Sequence, residues 1–420
     1  MNTKLSIYLS FALCTLLSQG VLAQTVTLDQ AVENALKNDP VLAQINATFE
    51  TLEAKAVADA QLPDPKATLA FQSFPVDDFN RTREGMTQIV TGISQKIPRG
   101  RTLKYKSKQT QFRAESVQAE TYLRAVSVKR EVRRLWLNLY YWNHAENTIK
   151  RSEKLLQQII EATELHYGTG GRNVQDVISA ELELSVLQDK KIDVQRKVDA
   201  LKADLTKWSG YVLAQGKLDE VFPRLTQVKA YDVIEQLLTA HPQIQIVDAM
   251  IESERQGVNL AKAQYKPGFD IGVNYGFREG DLPNGQERPD FLTAKLIFDL
   301  PLFVDKRQDK QLAASNFKVS AVQYQRDDIL RDLLAQLQRS YSNWQRYDER
   351  AAHYDQSVLR RAKENFEASL EAYGEDRTNF ASLMRAQVVE LDTKLNYIKI
   401  KTERAKAQAD LIYLQGDGHE

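Results

Sequence analysis

Phe269-Asp270-Ile271-Gly272-Val273-Asn274-Tyr275-Gly276-Phe277-Arg278 is the stretch on which the fold turns. Apolar side chains stand at every odd position, and polar residues or glycine at every even one. That period of two predicts a β-strand with one apolar and one polar face. After the polar loop Gly280 to Asp290, a return strand puts Leu292, Ala294, Leu296, Phe298 and Leu300 on one face and Thr293, Lys295 and Asp299 on the other. Strands of about ten residues with aromatics near their ends have the form of outer-membrane barrel strands. A soluble two-sided hairpin carries the same alternation, so the surroundings must decide.

Those surroundings say nearly everything twice. Leu69 and Phe71 alternate with Thr68, Ala70 and Gln72, and Ile89 to Ile97 makes a second return strand. Asn38-Asp39-Pro40 recurs as Ala240-His241-Pro242, Gln61 as Gln264, Ile97-Pro98 as Leu300-Pro301, and Trp142 as Trp344. Tyr167-Gly168 recurs as Tyr373-Gly374, and Leu205…Gly210 as Leu411…Gly416. The offset is 202 or 203 residues as far as the tryptophan and 206 after it. The difference is about one helical turn, so one arm has gained a turn while keeping its face. The predicted organisation is a leader over 1–23, a first repeat over 24–222 with strands at about 66–76 and 86–97, and a second over 223–420 with strands at about 268–278 and 290–300.

Within each repeat the remaining sequence is helical. Thr27-Leu28-Asp29-Gln30 has the form of a capping box opening a short helix through Lys37. Pro40, capped by Asp39, starts another that ends before Pro63; the copies lie near 231–240 and 242–265. From Arg101 to His166 there is neither proline nor glycine, which allows one helix of about 66 residues, or roughly 100 Å. Val128, Val132, Leu135, Leu139 and Trp142, and in the copy Leu330, Leu333, Leu337, Tyr341 and Trp344, step by about 3.5 residues as in a coiled-coil seam. Val194, Val198, Leu201, Leu205 and Trp208, with Leu391, Leu395 and Ile398, supply the returning helices. The helix before the strands and the helix after the turn, stacked end to end, nearly fill a column beside the long one.

Composition narrows the function. Basic and acidic residues number 56 each, leaving no net charge to recruit nucleic acid. Lys4, the apolar run Leu5 to Leu17 and the small-residue site Val21-Leu22-Ala23 form a secretory signal. Cys14, the only cysteine, lies inside it, and Leu13 fits poorly before a lipidated cysteine, so the mature chain is expected to lack thiols. The five histidines lack ligand spacing. No nucleophile motif or phosphate loop is present, which predicts a non-enzyme without cofactors. Four strands cannot close a barrel by themselves, and lipid does not tolerate open edges. Three chains would supply twelve strands continued by helices, a duct.

These residues resemble the TolC-like outer-membrane factors of tripartite efflux and type I secretion systems. The resemblance rests on the duplication, the element order, the Tyr-Gly tips and the joints Gln95-Lys96-Ile97-Pro98-Arg99-Gly100 and Asp299-Leu300-Pro301-Leu302-Phe303, which look most like the branch working with heavy-metal exporters. It implies a mixed α and β fold: a homotrimer with a 12-stranded outer-membrane β-barrel joined to a long periplasmic α-helical barrel. It also implies contact with outer-membrane lipid, a periplasmic adaptor (membrane fusion protein) and an inner-membrane pump, RND type. A protein-secretion duct has the same shape. A periplasmic coiled-coil adaptor or scaffold is the reading from another class, against which the doubled hairpins and amphipathic strands argue.

By the same resemblance, the hairpin tips meet the adaptor and constrict the periplasmic entrance. The candidate contacts are Tyr167, Gly168, Arg172 and Asn173 in one tip and Tyr373, Gly374, Arg377 and Asn379 in the other. Glycine there would supply the left-handed residue that reverses two helices. Arg172 and Arg377 could pair with acids to lock the tips, or simply be solvated. Asp176 matches one position of the family's acidic constriction ring, yet an acid in a first helical turn also favours the helix dipole. The second copy carries Ser382 and Arg385 there. Trp142, Trp208 and Trp344 read as seam packing. The loops Asp77 to Gly85 and Gly280 to Asp290 are expected outside the cell, with charges that need no binding role.

Overall fold

The computed structural model describes residues 26–168, 174–216, 219 and 221–416. The leader with Cys14, together with Arg172 and Asn173, lies outside the described residues, and of Tyr167 and Gly168 only the backbone is described.

The chain runs α1 (Leu28–Lys37), α2 (Pro40–Asp59), β1 (Lys66–Gln72), β2 (Gln88–Ile97), α3 (Thr102–Gly168), α4 (Val174–Ser209) and α5 (Tyr211–Gln215). It then repeats the pattern as α6 (Tyr231–Leu237), a 3₁₀ turn (Leu238–Ala240), α7 (Pro242–Ala263), β3 (Phe269–Phe277), β4 (Phe291–Phe298), α8 (Gln308–His353), α9 (Leu359–Gly374) and α10 (Phe380–Leu414). The predicted starts are visible as geometry. Thr27 and Gln30 close the capping box of α1, and Asp39 accepts from the Val41 N–H ahead of Pro40 in α2.

The strands form one antiparallel sheet in the order β1-β2-β3-β4, so the two repeats join through β2 and β3. Its rungs confirm the alternation. Ala67, Ile93, Val273 and Ala294 lie side by side, as do Leu69, Thr91, Tyr275 and Leu292. The opposite face carries Thr68, Gly92, Asn274 and Thr293. The apolar face is uncovered: Phe71 is 68% and Leu292 73% exposed. Two strands are shorter than expected. β1 stops at Gln72 rather than near 76, because Ser73 takes a left-handed φ of 59° and Pro75 follows. β4 stops at Phe298 rather than 300; Asp299 still donates to the Gly268 carbonyl, but Pro301 has no N–H to continue a ladder.

α3 spans 67 residues without a break. Its counterpart has the same length but contains five residues of π-helix, Tyr354–Val358, between α8 and α9. This is where the extra turn went. The interval from Trp344 to Tyr373 is four residues longer than that from Trp142 to Tyr167. Four residues rotate an α-helix about 40° beyond a full turn, and the wider i→i+5 turn unwinds part of that excess.

The helices form a wall. α3 packs against α2 and α7 toward the sheet and against α4 and α10 toward the other end, while α8 packs against α7 and α10. Val128, Val132, Leu139, Val194, Val198 and Leu205 of the predicted seams are buried, and Leu333 and Leu337 anchor a second cluster with Ile234, Leu238 and Leu411. α4 and α10 end alike: Gly210 and Gly416 adopt φ of 79° and 71°, a conformation that stops a helix and that glycine enters freely. Among the described residues, no helix is long and apolar enough to cross a membrane.

Candidate functional site

The second hairpin tip is fully described and differs from its sequence reading in one respect. Gly374 is the last residue of α9 and is not left-handed; Asp376 is, at φ 59°. The Arg377 N–H reaches back to the Ala372 carbonyl (2.8 Å) and the Glu375 N–H to that of Glu371 (3.1 Å), closing the helix end. Aspartate tolerates this conformation better than most residues, so the reversal does not need the glycine. A Cβ on Gly374 would meet nothing within 4 Å. The missing side chain leaves an open spot at the extreme end of the molecule.

The other tip residues divide by burial. Tyr373 is turned inward, 6% exposed, with its ring edge-on to Phe380 at 5.7 Å. Its hydroxyl lies 3.1 Å from Thr163 Oγ1, and because Thr163 donates to the Ile159 carbonyl (2.8 Å), the phenol donates to Thr163. Tyr373 therefore ties α9 and α10 to the end of α3. Asn379 caps α10, its side-chain oxygen accepting from the Ser382 N–H at 2.9 Å. Arg377 pairs with Glu375 of the same turn, both well exposed, and so bridges no elements. Asp176 sits in the first turn of α4, partly exposed, where the helix dipole also favours it.

Midway along the wall lie two joints that are related by the repeat but differ chemically. In the first, Arg124 of α3 holds Asp39 through Nε (2.7 Å) and Nη2 (3.2 Å), with the Asp39 side chain only 3% exposed. The same guanidinium lies 5.2 Å from the Trp208 ring centroid. The start of α2 and the end of α4 thus meet on one residue of α3, the expected end-to-end stacking. Burial would raise the Asp39 carboxyl, but the hydrogen bonds from Arg124 and the Val41 N–H, with the Arg124 and Lys207 charges, hold it below its ordinary value. In the second joint His241 replaces Asp39. It is 1% exposed; Nδ1 accepts from the Gln243 N–H (3.3 Å) and Nε2 faces the Tyr413 carbonyl (3.2 Å), which places the proton on Nε2. Burial, and then the Arg130 charge, push its pKa down to about 4, against the hydrogen bond to Tyr413. Its partner by repeat, Arg326, turns to Asp248 at 2.6 Å. Sequence reasoning passed over His241 as a scattered histidine, although its alignment with the cap Asp39 was the available signal.

At the far end of the sheet the two loops clasp each other. Arg278 donates to the Gly85 carbonyl, Arg288 to that of Glu84 (3.2 Å), and Arg81 pairs with Glu279 (3.0 Å). Arg83 is bidentate on Asp77. Arg81, Arg83, Arg278 and Arg288 are thus spent on the loops themselves. Among the described residues no group of three or more His, Cys, Asp or Glu is placed to hold a metal ion.

Residues 233–417, within the second half of the chain, match the family described as outer membrane efflux protein. No curated protein matches the chain. Among solved structures, VceC of Vibrio cholerae shares the fold at a TM-score of 0.75 and 16% identity, covering 94% of this chain and 97% of its own. CmeC of Campylobacter jejuni does so at 0.74 and 17%, covering 94% and 86%. CusC gives 0.76 and 13%, covering 92% and 91%. Residues 233–417 thus carry the match to the outer membrane efflux protein family, and the chain along nearly its whole length shares the fold of these solved channels.

Proposed function

We propose that the chain is the outer-membrane exit duct of a tripartite efflux system, passively conducting substrate handed on by a periplasmic adaptor and an inner-membrane pump of RND type. One observation carries this reading: a four-stranded sheet whose apolar face is uncovered across every strand, with open edges at β1 and β4. Lipid can cover the face but not the edges. Pairing of β4 with β1 of the next copy closes them, and threefold closure gives a 12-stranded barrel in a homotrimer. Each repeat, 24–222 and 223–420, contributes one strand pair and one helical hairpin, and α3 carries the duct about 100 Å into the periplasm.

The tips are the adaptor end. Gly374 supports this, being a glycine that the chain's own turn does not require and that leaves room for a partner's close approach. Three Asp176 carboxylates around the threefold axis would form a cation-attracting constriction. Heavy-metal cations are the cargo class to which the joint sequences point. Deleting the gene and measuring growth against divalent metals, silver, dyes, detergents and antibiotics tests the proposal. Metal-confined sensitivity is expected. Broad sensitivity to organic compounds would replace the cargo, and unchanged growth with no heat-stable trimer in the outer-membrane fraction would sink the duct.

A further inference from the structure

Where the wall meets the sheet, α3, α7 and α8 enclose a cleft of about 430 Å³ lined by Arg99, Arg113, Arg307, Lys318, Glu254 and Gln308 among others. We infer that this cleft is a binding site for a phosphate group.

Charge comes first. Arg99 is already committed, to Asp299 (2.9 Å) and to the Gln264 carbonyl (3.0 Å). Arg113, Arg307 and Lys318 make no ion pair among the described residues, and neither does Glu254, so three uncommitted cations face one carboxylate. Such a surplus in a recess favours a multiply charged oxyanion, which arginine can grip through two N–H groups at once.

Two further observations point the same way. Gln308 is only 5% exposed, yet its Oε1 has no hydrogen-bond partner. A buried amide left unpaired is costly, and half a turn about its last torsion would present the NH₂ to an anion. Gln308 also opens α8, whose cap residue, Arg307, gives no side-chain hydrogen bond to the first-turn amides. The Asp309 N–H is taken by the Val304 carbonyl (3.0 Å), but the Gln308 and Lys310 N–H groups and the positive end of a 46-residue helix favour the same ligand. The floor of the cleft is Gly257, in mid-α7, where glycine weakens a helix. A Cβ there would crowd Gln109 Nε2 at 3.2 Å and stand 3.6 Å from Glu254 Oε2, so a larger side chain would push into the residues that line the cleft.

The cleft is built within one chain, over α7 and between its own α3 and α8. It also lies just past the ends of β2 (Ile97) and β4 (Phe298), at the foot of the apolar sheet face. If the sheet spans the bilayer, as proposed above, this is the level of the inner-leaflet headgroups, and a phospholipid is the nearest source of phosphate. That last step rests on the duct reading; phosphate binding does not.

The test uses the purified full-length protein in detergent. Native mass spectrometry reads retention of phosphatidylglycerol against phosphate-free diacylglycerol, and calorimetry reads inorganic phosphate and glycerol 3-phosphate. Phosphatidylglycerol should be held at up to one per chain in preference to diacylglycerol. Arg113→Gln with Lys318→Gln should weaken it about 100-fold, roughly tenfold for each lost charged contact. Gly257→Leu should abolish it by filling the floor, while Lys154→Gln, exposed far along α3 and outside the cleft, should change nothing. Equal affinity for glycerol 3-phosphate and for the lipid would keep the site and make free phosphate its source. Variants that bind like the wild type, or no preference for any phosphate ligand over diacylglycerol, would overturn the inference. A heat-stable trimer in each variant separates loss of the site from loss of the fold. A wild type that forms no trimer would count against the duct, while the phosphate titrations still report on the cleft.

Discussion

Val273 is the centre of β3, the fifth of nine residues, and stands on the uncovered apolar face between Ile93 and Ala294. Thr293, one strand over, stands at nearly the same height on the opposite face, beside Asn274. Lysine at either position keeps the backbone and adds the same charge, so the two variants differ only in which way that charge points. If the apolar face meets lipid, Val273→Lys puts an ammonium near the bilayer midplane at a cost of about 2–4 kcal/mol per chain. At 3 kcal/mol the folded population falls roughly 150-fold per chain, and a closed trimer carries the penalty three times. In the proposed barrel, Thr293→Lys projects into the polar lumen beside Lys295 and should cost less than about 1 kcal/mol. Urea unfolding of protein reconstituted in lipid vesicles measures both, with the heat-stable trimer band as a second readout. Equal cost in the two variants, or a larger cost at Thr293, would refute the assignment of faces and with it the barrel.

Gly374→Ala should leave the fold intact or stabilise it by a few tenths of a kcal/mol, since the position is helical and open. It should nonetheless weaken adaptor capture severalfold in a pull-down or interferometry assay; unchanged capture would remove the open spot from the docking surface. His241 makes stability fall with acidification. The unfolded chain takes up the proton near pH 6.5 and the folded one only near 4. The contribution is therefore complete above about 6.5 and lost as pH drops toward 4, up to roughly 3 kcal/mol. Urea midpoints at stepped pH should show this extra slope in the wild type and not in His241→Asn; identical slopes would mean the joint titrates otherwise. Asp176→Ala should relieve block by divalent and trivalent cations in planar-bilayer recordings, and unchanged block would remove Asp176 from the constriction.

The sequence alone determined the parts whose signals are local. Alternation over Phe269 to Phe277 specifies a two-faced strand because successive side chains must point to opposite sides. An unbroken run from Arg101 to His166 specifies a helix because nothing in it interrupts the hydrogen-bond ladder. The caps at Thr27 and Asp39 read correctly because capping is completed within three residues. The repeat made the halves comparable, and with them the family resemblance. Only the tertiary structure decided what depends on residues far apart in the chain. β2 pairs with β3 across 171 residues of intervening sequence, between Ile97 and Phe269, to make one sheet rather than two hairpins. The left-handed residue of the tip is Asp376, two residues past the glycine, because the backbone hydrogen bonds that close α9 put the reversal there, on a residue type that tolerates it. Tyr373 turned inward because Phe380 and Thr163 receive it. His241 acquired its role because Tyr413, on a distant helix, closes over it. The cleft under the sheet draws its cations from α3, α8 and the strand-to-helix joints, a convergence that no spacing in the sequence records.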